Sequence, residues 1–180
     1  AKEGHLSGTV NFINDSVSCT EMYFDNGKLM AKGNFLSKMK QGKWFTYSRY
    51  GNLLNIFNFD KGAMEGTQYL YYPPNEESNA VNIMEEYNCK NGLKNGIWKQ
   101  YYTNYEVLAF EGAYAVGTPE GKHTYYHQNG NRKLQGKYEG GVKDKIWTRY
   151  NPDGSVLVRI YYEDGKEVKL DGLTIKPKSE

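Results

Sequence analysis

Apolar and polar residues alternate along this chain in short runs, each closed by glycine. Leu29-Met30-Ala31-Lys32-Gly33-Asn34-Phe35 and Arg132-Lys133-Leu134-Gln135-Gly136-Lys137-Tyr138 are typical. No apolar period of 3.6 survives between the glycines, so the runs read as strands and not helices. Two strands of about six residues plus two turns make a unit of about 24 residues. Each run ends in an aromatic at a steady place: Phe35, Phe59, Tyr87, Tyr114, Tyr138 and Tyr162.

Two kinds of turn punctuate the runs. Asp25-Asn26-Gly27, Gln128-Asn129-Gly130 and Pro152-Asp153-Gly154 carry the Asn-Gly and Asp-Gly signals of tight hairpins, and Arg49-Tyr50-Gly51 stands in the same phase. The second turn is Gly-x-x-x-Gly, at Gly62–Gly66, Gly92–Gly96 and Gly117–Gly121.

A phrase Gly-x-Trp-x-x-Tyr follows the second turn. It is complete at Gly42-Lys43-Trp44-Phe45-Thr46-Tyr47 and Gly96-Ile97-Trp98-Lys99-Gln100-Tyr101. Lys145-Ile146-Trp147-Thr148-Arg149-Tyr150 lacks only the glycine, and weaker copies begin at Gly66 and Gly121. The five copies start 24, 30, 25 and 24 residues apart. A fixed period of this size is the signature of a repeat architecture.

The expected fold is therefore all-β: an elongated single-layer antiparallel meander of stacked β-hairpin repeats, with about twelve strands. The array is expected over residues 1–172, with five to six units in phase. A degenerate first unit stands at Gly4-His5-Leu6-Ser7-Gly8. The longest spacing carries an insertion at 73–79, where Pro73 and Pro74 cannot extend a central strand. Residues 173–180 form a polar tail.

Side chains in a strand alternate between faces. Trp and Tyr of the repeated phrase are three apart and so point to opposite faces. One face carries Trp44, Gln68, Trp98, His123 and Trp147; the other carries Tyr47, Tyr71, Tyr101, Tyr126 and Tyr150. Like residues recur on every second strand, about 9.6 Å apart, with the aromatics of intervening strands between them. Such pairs give a single-layer sheet the core it otherwise lacks. The same two ladders are the candidate binding surface: Trp44, Trp98, His123 and Trp147 on one side, the five tyrosines on the other.

Composition narrows the function. Only 38% of the 180 residues are hydrophobic, but 15% are aromatic and 17 are Tyr, a balance foreign to disordered chains. Net charge is +2 and no basic block stands out, which disfavours nucleic acid. Cys19 and Cys89 match no metal motif and lie in different units, so two free thiols are expected. His123 and His127 are four apart, but in a strand that spacing makes no zinc site. Glu76-Glu77 and Glu85-Glu86 are adjacent acids, which in strands point apart. No nucleophile elbow and no glycine-rich phosphate loop occurs. No catalytic residue, no metal ligand and no cofactor-binding residue is assigned.

The stretch Tyr125-Tyr126-His127-Gln128-Asn129-Gly130, continuing through Gly136-Lys137-Tyr138 to Trp147 and Tyr150, resembles the bacterial variant of the MORN repeat. The resemblance covers about Gly4 to Gly172. Lys145, the unit at Gln68 and the loop after Tyr72 depart from it, and the last two are read as marks of a kink. The resemblance implies a non-catalytic array of hairpins serving as a scaffold for protein–protein interaction. Some bacterial members are described as antitoxins, and some eukaryotic ones are linked to membranes. It favours an exported bacterial protein, periplasmic or at the cell surface, over a cytoplasmic one. The expected partner is a protein. A glycan or cell-wall ligand stacked on a Trp/Tyr face is the alternative, and a membrane surface ranks behind both.

Overall fold

The computed structural model describes residues 7–14, 17–73, 81–103, 107–171 and 173–174. The expected unit at Gly4–Gly8, the insertion at 73–79 and the tail at 173–180 lie largely outside the described residues. The chain divides into two compact units, residues 1–93 and 94–180.

The first unit contains β1 (Ser7–Asn14), β2 (Val17–Tyr23), β3 (Leu29–Leu36), β4 (Met39–Tyr47), β5 (Leu53–Asp60), the two-residue β6 (Ala63–Met64), β7 (Gly66–Tyr71) and β8 (Ile83–Lys90). Each strand pairs antiparallel with the next, β5 pairing with both β6 and β7. The second unit runs from β9 (Leu93–Tyr101) through β10 (Leu108–Ala115), β11 (Thr118–Tyr126), β12 (Arg132–Glu139), β13 (Val142–Tyr150), β14 (Val156–Glu163) and β15 (Lys166–Leu170) to β16 (Leu173–Thr174). It is likewise an antiparallel meander.

The all-β meander of hairpins is the expected fold. The additional strands are short or lie outside the repeated phrase. β1 and β2 precede the first tryptophan, β6 is cut from β7 at Glu65, and β16 is two residues long.

The turns sort differently from the sequence reading. The tight two-residue turns are Ser37-Lys38, Lys61-Gly62, Asn91-Gly92, Val116-Gly117, Gly140-Gly141 and Asp164-Gly165, with positive φ at both residues. That is the type I′ geometry, whose twist matches paired strands. Asp25-Asn26-Gly27 is instead the middle of a five-residue loop. Phe24 N–H donates to Lys28 at 2.8 Å, and Gly27 N–H donates back to Phe24 at 2.9 Å. The loops Ser48–Asn52, His127–Asn131 and Asn151–Ser155 repeat those two bonds.

Gly-x-x-x-Gly is likewise two features. Its first glycine closes the type I′ turn. Its second, with φ of 77° at Gly66, 102° at Gly96 and 69° at Gly121, lies within or at the start of the next strand. Where the ladder is followed on both sides of that glycine, it carries a bulge. In β4 the register with β3 slips between Lys32 and Asn34, and in β11 the register with β10 slips between Gly112 and Ala113. Lys145 takes the same left-handed conformation, φ 53°, without being glycine.

Successive type I′ turns are tied together. Gly62 N–H donates to Lys40, Gly92 to Met64 and Gly117 to Lys94, at 2.7–2.9 Å. Just before each bulge a polar side chain adds a second tie to the next turn. Gln41 accepts from Lys61 N–H, Glu65 from Asn91, Asn95 from Val116 and Glu120 from Gly140, at 2.9–3.3 Å.

Candidate functional site

The bulge aims one side chain per repeat across the preceding strand, and that side chain makes the core. Trp44 Nε1 donates to the carbonyl of Asn34 at 3.0 Å, and Trp147 Nε1 to that of Lys137 at 3.1 Å. His123 Nε2 donates to Ala113 at 2.9 Å, and Gln68 Nε2 to Asn58 at 3.2 Å. Four side chains of three kinds thus donate to the carbonyl ten residues back. A buried N–H left without such an acceptor costs about 1–3 kcal/mol.

The rings need a seat. A Cβ on Gly33 would fall inside the indole of Trp44, one on Gly136 inside that of Trp147, and one on Gly112 inside the imidazole of His123. Each glycine stands eleven residues before its ring. Trp44, His123 and Trp147 are consequently 3%, 1% and 1% exposed.

Gln68 inverts the arrangement. Eleven residues before it stands Phe57, which pairs with Trp44, and across from it in β8 stands Tyr87. A small amide flanked by large residues thus stands where other repeats place a large ring over glycine. The amide is 0% exposed, accepts from Asn58 N–H at 2.7 Å and also donates to Gly66 at 2.9 Å. The unit at Gln68, which departs from the repeated phrase, is therefore a second solution to the same packing.

Between the plugs stand the aromatics of the intervening strands, in edge-on or tilted contact. In the second unit the centroid distances run Trp98–Tyr114 5.5 Å, Tyr114–His123 5.5 Å, His123–Tyr138 4.6 Å, Tyr138–Trp147 5.0 Å and Trp147–Tyr162 6.4 Å. The first unit holds Phe35–Trp44 at 5.0 Å and Trp44–Phe59 at 6.5 Å. Each such pair adds about 0.5–1.5 kcal/mol beyond burial. Tyr87 does not hold the steady place assigned to it: Cys89 pairs with Gly66 where Phe59 pairs with Gly42. The thirty-residue spacing shifts the count by two.

Lysine covers each tryptophan, a feature the sequence reading missed. Lys40 lies 4.6 Å from the Trp44 ring and 5.0 Å from Phe59. Lys94 lies 3.1 Å from Trp98, and Lys143 lies 4.8 Å from both Trp147 and Tyr162. Each lysine is four residues before its tryptophan. Met64 and Pro119 stand there before Gln68 and His123. The signal was legible as Lys-x-x-x-Trp.

The tyrosine row is placed otherwise. Tyr47, Tyr71, Tyr101, Tyr126 and Tyr150 are all half-buried and end their strands. They pair with Leu53, Ile83, Leu108, Arg132 and Val156, which sit at the start of the following strands. The Arg132 guanidinium lies 4.6 Å over the Tyr150 ring. Burial pushes the Tyr71 phenol up from its ordinary range. His123 and His127 do not converge: His127 Nε2 donates to the Tyr150 carbonyl at 3.1 Å, whereas His123 is a core plug. Cys19 and Cys89 are both free thiols. Among the described residues no group of three or more His, Cys, Asp or Glu could hold a metal ion, and no helix is long and apolar enough to cross a membrane.

Three stretches match the MORN repeat variant: residues 19–36, 119–139 and 143–164. Each MORN match is one strand, a five-residue loop and the next strand. Between the first and second matches, the Trp44 unit keeps the plug-and-seat contact of the matched segments. MORN repeats are interaction modules for proteins or membranes and are typically non-catalytic. No curated protein matches the chain.

Proposed function

We propose that this chain is a non-catalytic scaffold of the MORN-variant type that holds a protein partner on its tyrosine row. The observation that carries this is the unequal closure of the two ladders. Trp44, His123 and Trp147 are sealed beneath their neighbours, so their faces offer nothing to a ligand; Trp98 is half-buried, with Lys94 over its ring. The tyrosines stay half-buried, and Tyr47 in the first unit and Tyr126 and Tyr150 in the second stand beside five-residue loops. Tyrosine at a surface supplies large contact area with two side-chain torsions to fix, and its hydroxyl can hydrogen-bond. Sugar-stacking modules need an open indole face, and lysine occupies that place over Trp44, Trp98 and Trp147.

A photo-crosslinking amino acid at Tyr126 or at Lys143 tests the reading in extract of the native host. One partner is expected from position 126 and none from 143, and Tyr101→Ser in the same chain should weaken capture. Equal capture from both positions would overturn the assignment of the face. Saturable binding to a glycan array, lost in Tyr126→Ala, would replace the protein partner with a carbohydrate.

A further inference from the structure

His123 is the one ionisable plug. Its imidazole stands where Trp44 and Trp147 stand in their repeats, over a glycine seat and against the same carbonyl. Its contacts are Phe110 at 5.5 Å, Tyr114 at 5.5 Å and Tyr138 at 4.6 Å. Nδ1 faces Gly112, which has no side chain to receive a proton's hydrogen bond. The imidazole is 1% exposed, so water does not reach it.

β10 presents Tyr114 and β12 presents Tyr138. On β11 itself Tyr125 shares the contact with Phe110. Lys94 of β9 lies 5.7 Å from the Tyr114 ring, and Lys143 of β13 lies over Trp147 and Tyr162. Both are cations. The position that holds lysine before each tryptophan is Pro119 here, so the repeat omits its cation where the ring itself can become one.

We propose that His123 is an acid-sensitive joint, and that its protonation opens the ring stack across β10, β11 and β12. A second proton on the imidazole creates a cation among rings, with one backbone acceptor already engaged. Burial accordingly holds the His123 pKa below the ordinary histidine range, against a smaller opposing effect of the Ala113 bond. A histidine whose folded pKa is lowered loses nothing above about pH 6.5, where both states are neutral. Stability falls as pH drops below that value and levels off below the folded pKa. The first unit has no histidine among its described residues and keeps its stack.

Hydrogen exchange on the full chain at pH 7.5, 6.5 and 5.5, expressed as protection factors, tests this. Protection in β10–β12 should fall below pH 6.5, by up to about tenfold per pH unit, while β3–β5 holds. His123→Gln, which keeps a donor as Gln68 does, should abolish the fall, and His127→Gln should not. Equal falls in wild type and His123→Gln, or in β3–β5 and β10–β12, would overturn the proposal. If His123→Gln does not fold, the wild-type His123 Cε1–H titration decides by NMR. A midpoint below 6.5 supports the joint, and one at or above 6.5 overturns it.

Discussion

Trp147 lies against the Cα of Gly136, in the space a Cβ would occupy. A residue without a side chain is thus a core residue. Gly136→Ala must move the indole, strain the backbone or both. A loss of about 2–3 kcal/mol is expected, as for overpacking a tight core. Gly42→Ala, where a Cβ has open space, should show only the cost of its φ of 67°, about 1–2 kcal/mol. Urea melts of both variants would check this; a smaller loss at Gly136 than at Gly42 contradicts the seat.

Phe57 and Gln68 show that seat and plug can exchange sizes. Gly136→Phe alone should prevent the second unit from forming its stack. Gly136→Phe with Trp147→Gln should recover part of the loss, with a favourable coupling of at least about 1 kcal/mol in a double-mutant cycle. Additive effects would mean that the two arrangements are unrelated.

Lys145 adopts φ 53° at the place where other repeats use glycine. A side chain there costs about 1–2 kcal/mol, less what glycine loses on folding. Lys145→Gly should therefore raise stability by about 0.5–1 kcal/mol. A lower denaturation midpoint would show that the lysine side chain holds the bulge in place.

Val116 is a β-branched residue at φ 48° in a type I′ turn, and it is 69% exposed. Asparagine, which stands at the equivalent Asn91, tolerates that conformation. Val116→Asn should add about 1 kcal/mol and raise the melting temperature. An unchanged melting temperature would mean that the turn relaxes around valine.

Lysine over tryptophan can act by charge or by cover. Lys143→Met keeps the cover, as Met64 does in the Gln68 repeat, and removes the charge. A cation–π contribution at a partly exposed site is about 0.5–1 kcal/mol. Lys143→Met should lose about that much, and Lys143→Ala more. If Lys143→Met is neutral at both low and high salt, the ammonium contributes nothing and the stem does the covering.

The strands were legible because glycine closes the runs, and the steady aromatics because most repeats keep the 24-residue step. Two features were not. Gly33, Gly112 and Gly136 read as ordinary strand glycines, because a seat is recognised only by what lies on it. Gly62 and Gly66 read as one turn, because spacing does not distinguish a turn from a bulge two residues further on. Tyr87 was misplaced for a third reason. The insertion before it breaks the count, and only pairing to Gly66 and Gln68 shows that Cys89 has taken the aromatic's position. Lys40, Lys94 and Lys143 were visible but carried no meaning until their rings had a direction.

The bond from each plug to the carbonyl ten residues back spans less than one repeat, and each turn's ties reach only to the neighbouring turn. A tandem duplication of one 24-residue stretch would therefore carry its own plug, its own seat and the acceptor for the turn that follows. Such a chain can gain or lose a repeat by in-frame copying, without a compensating change elsewhere.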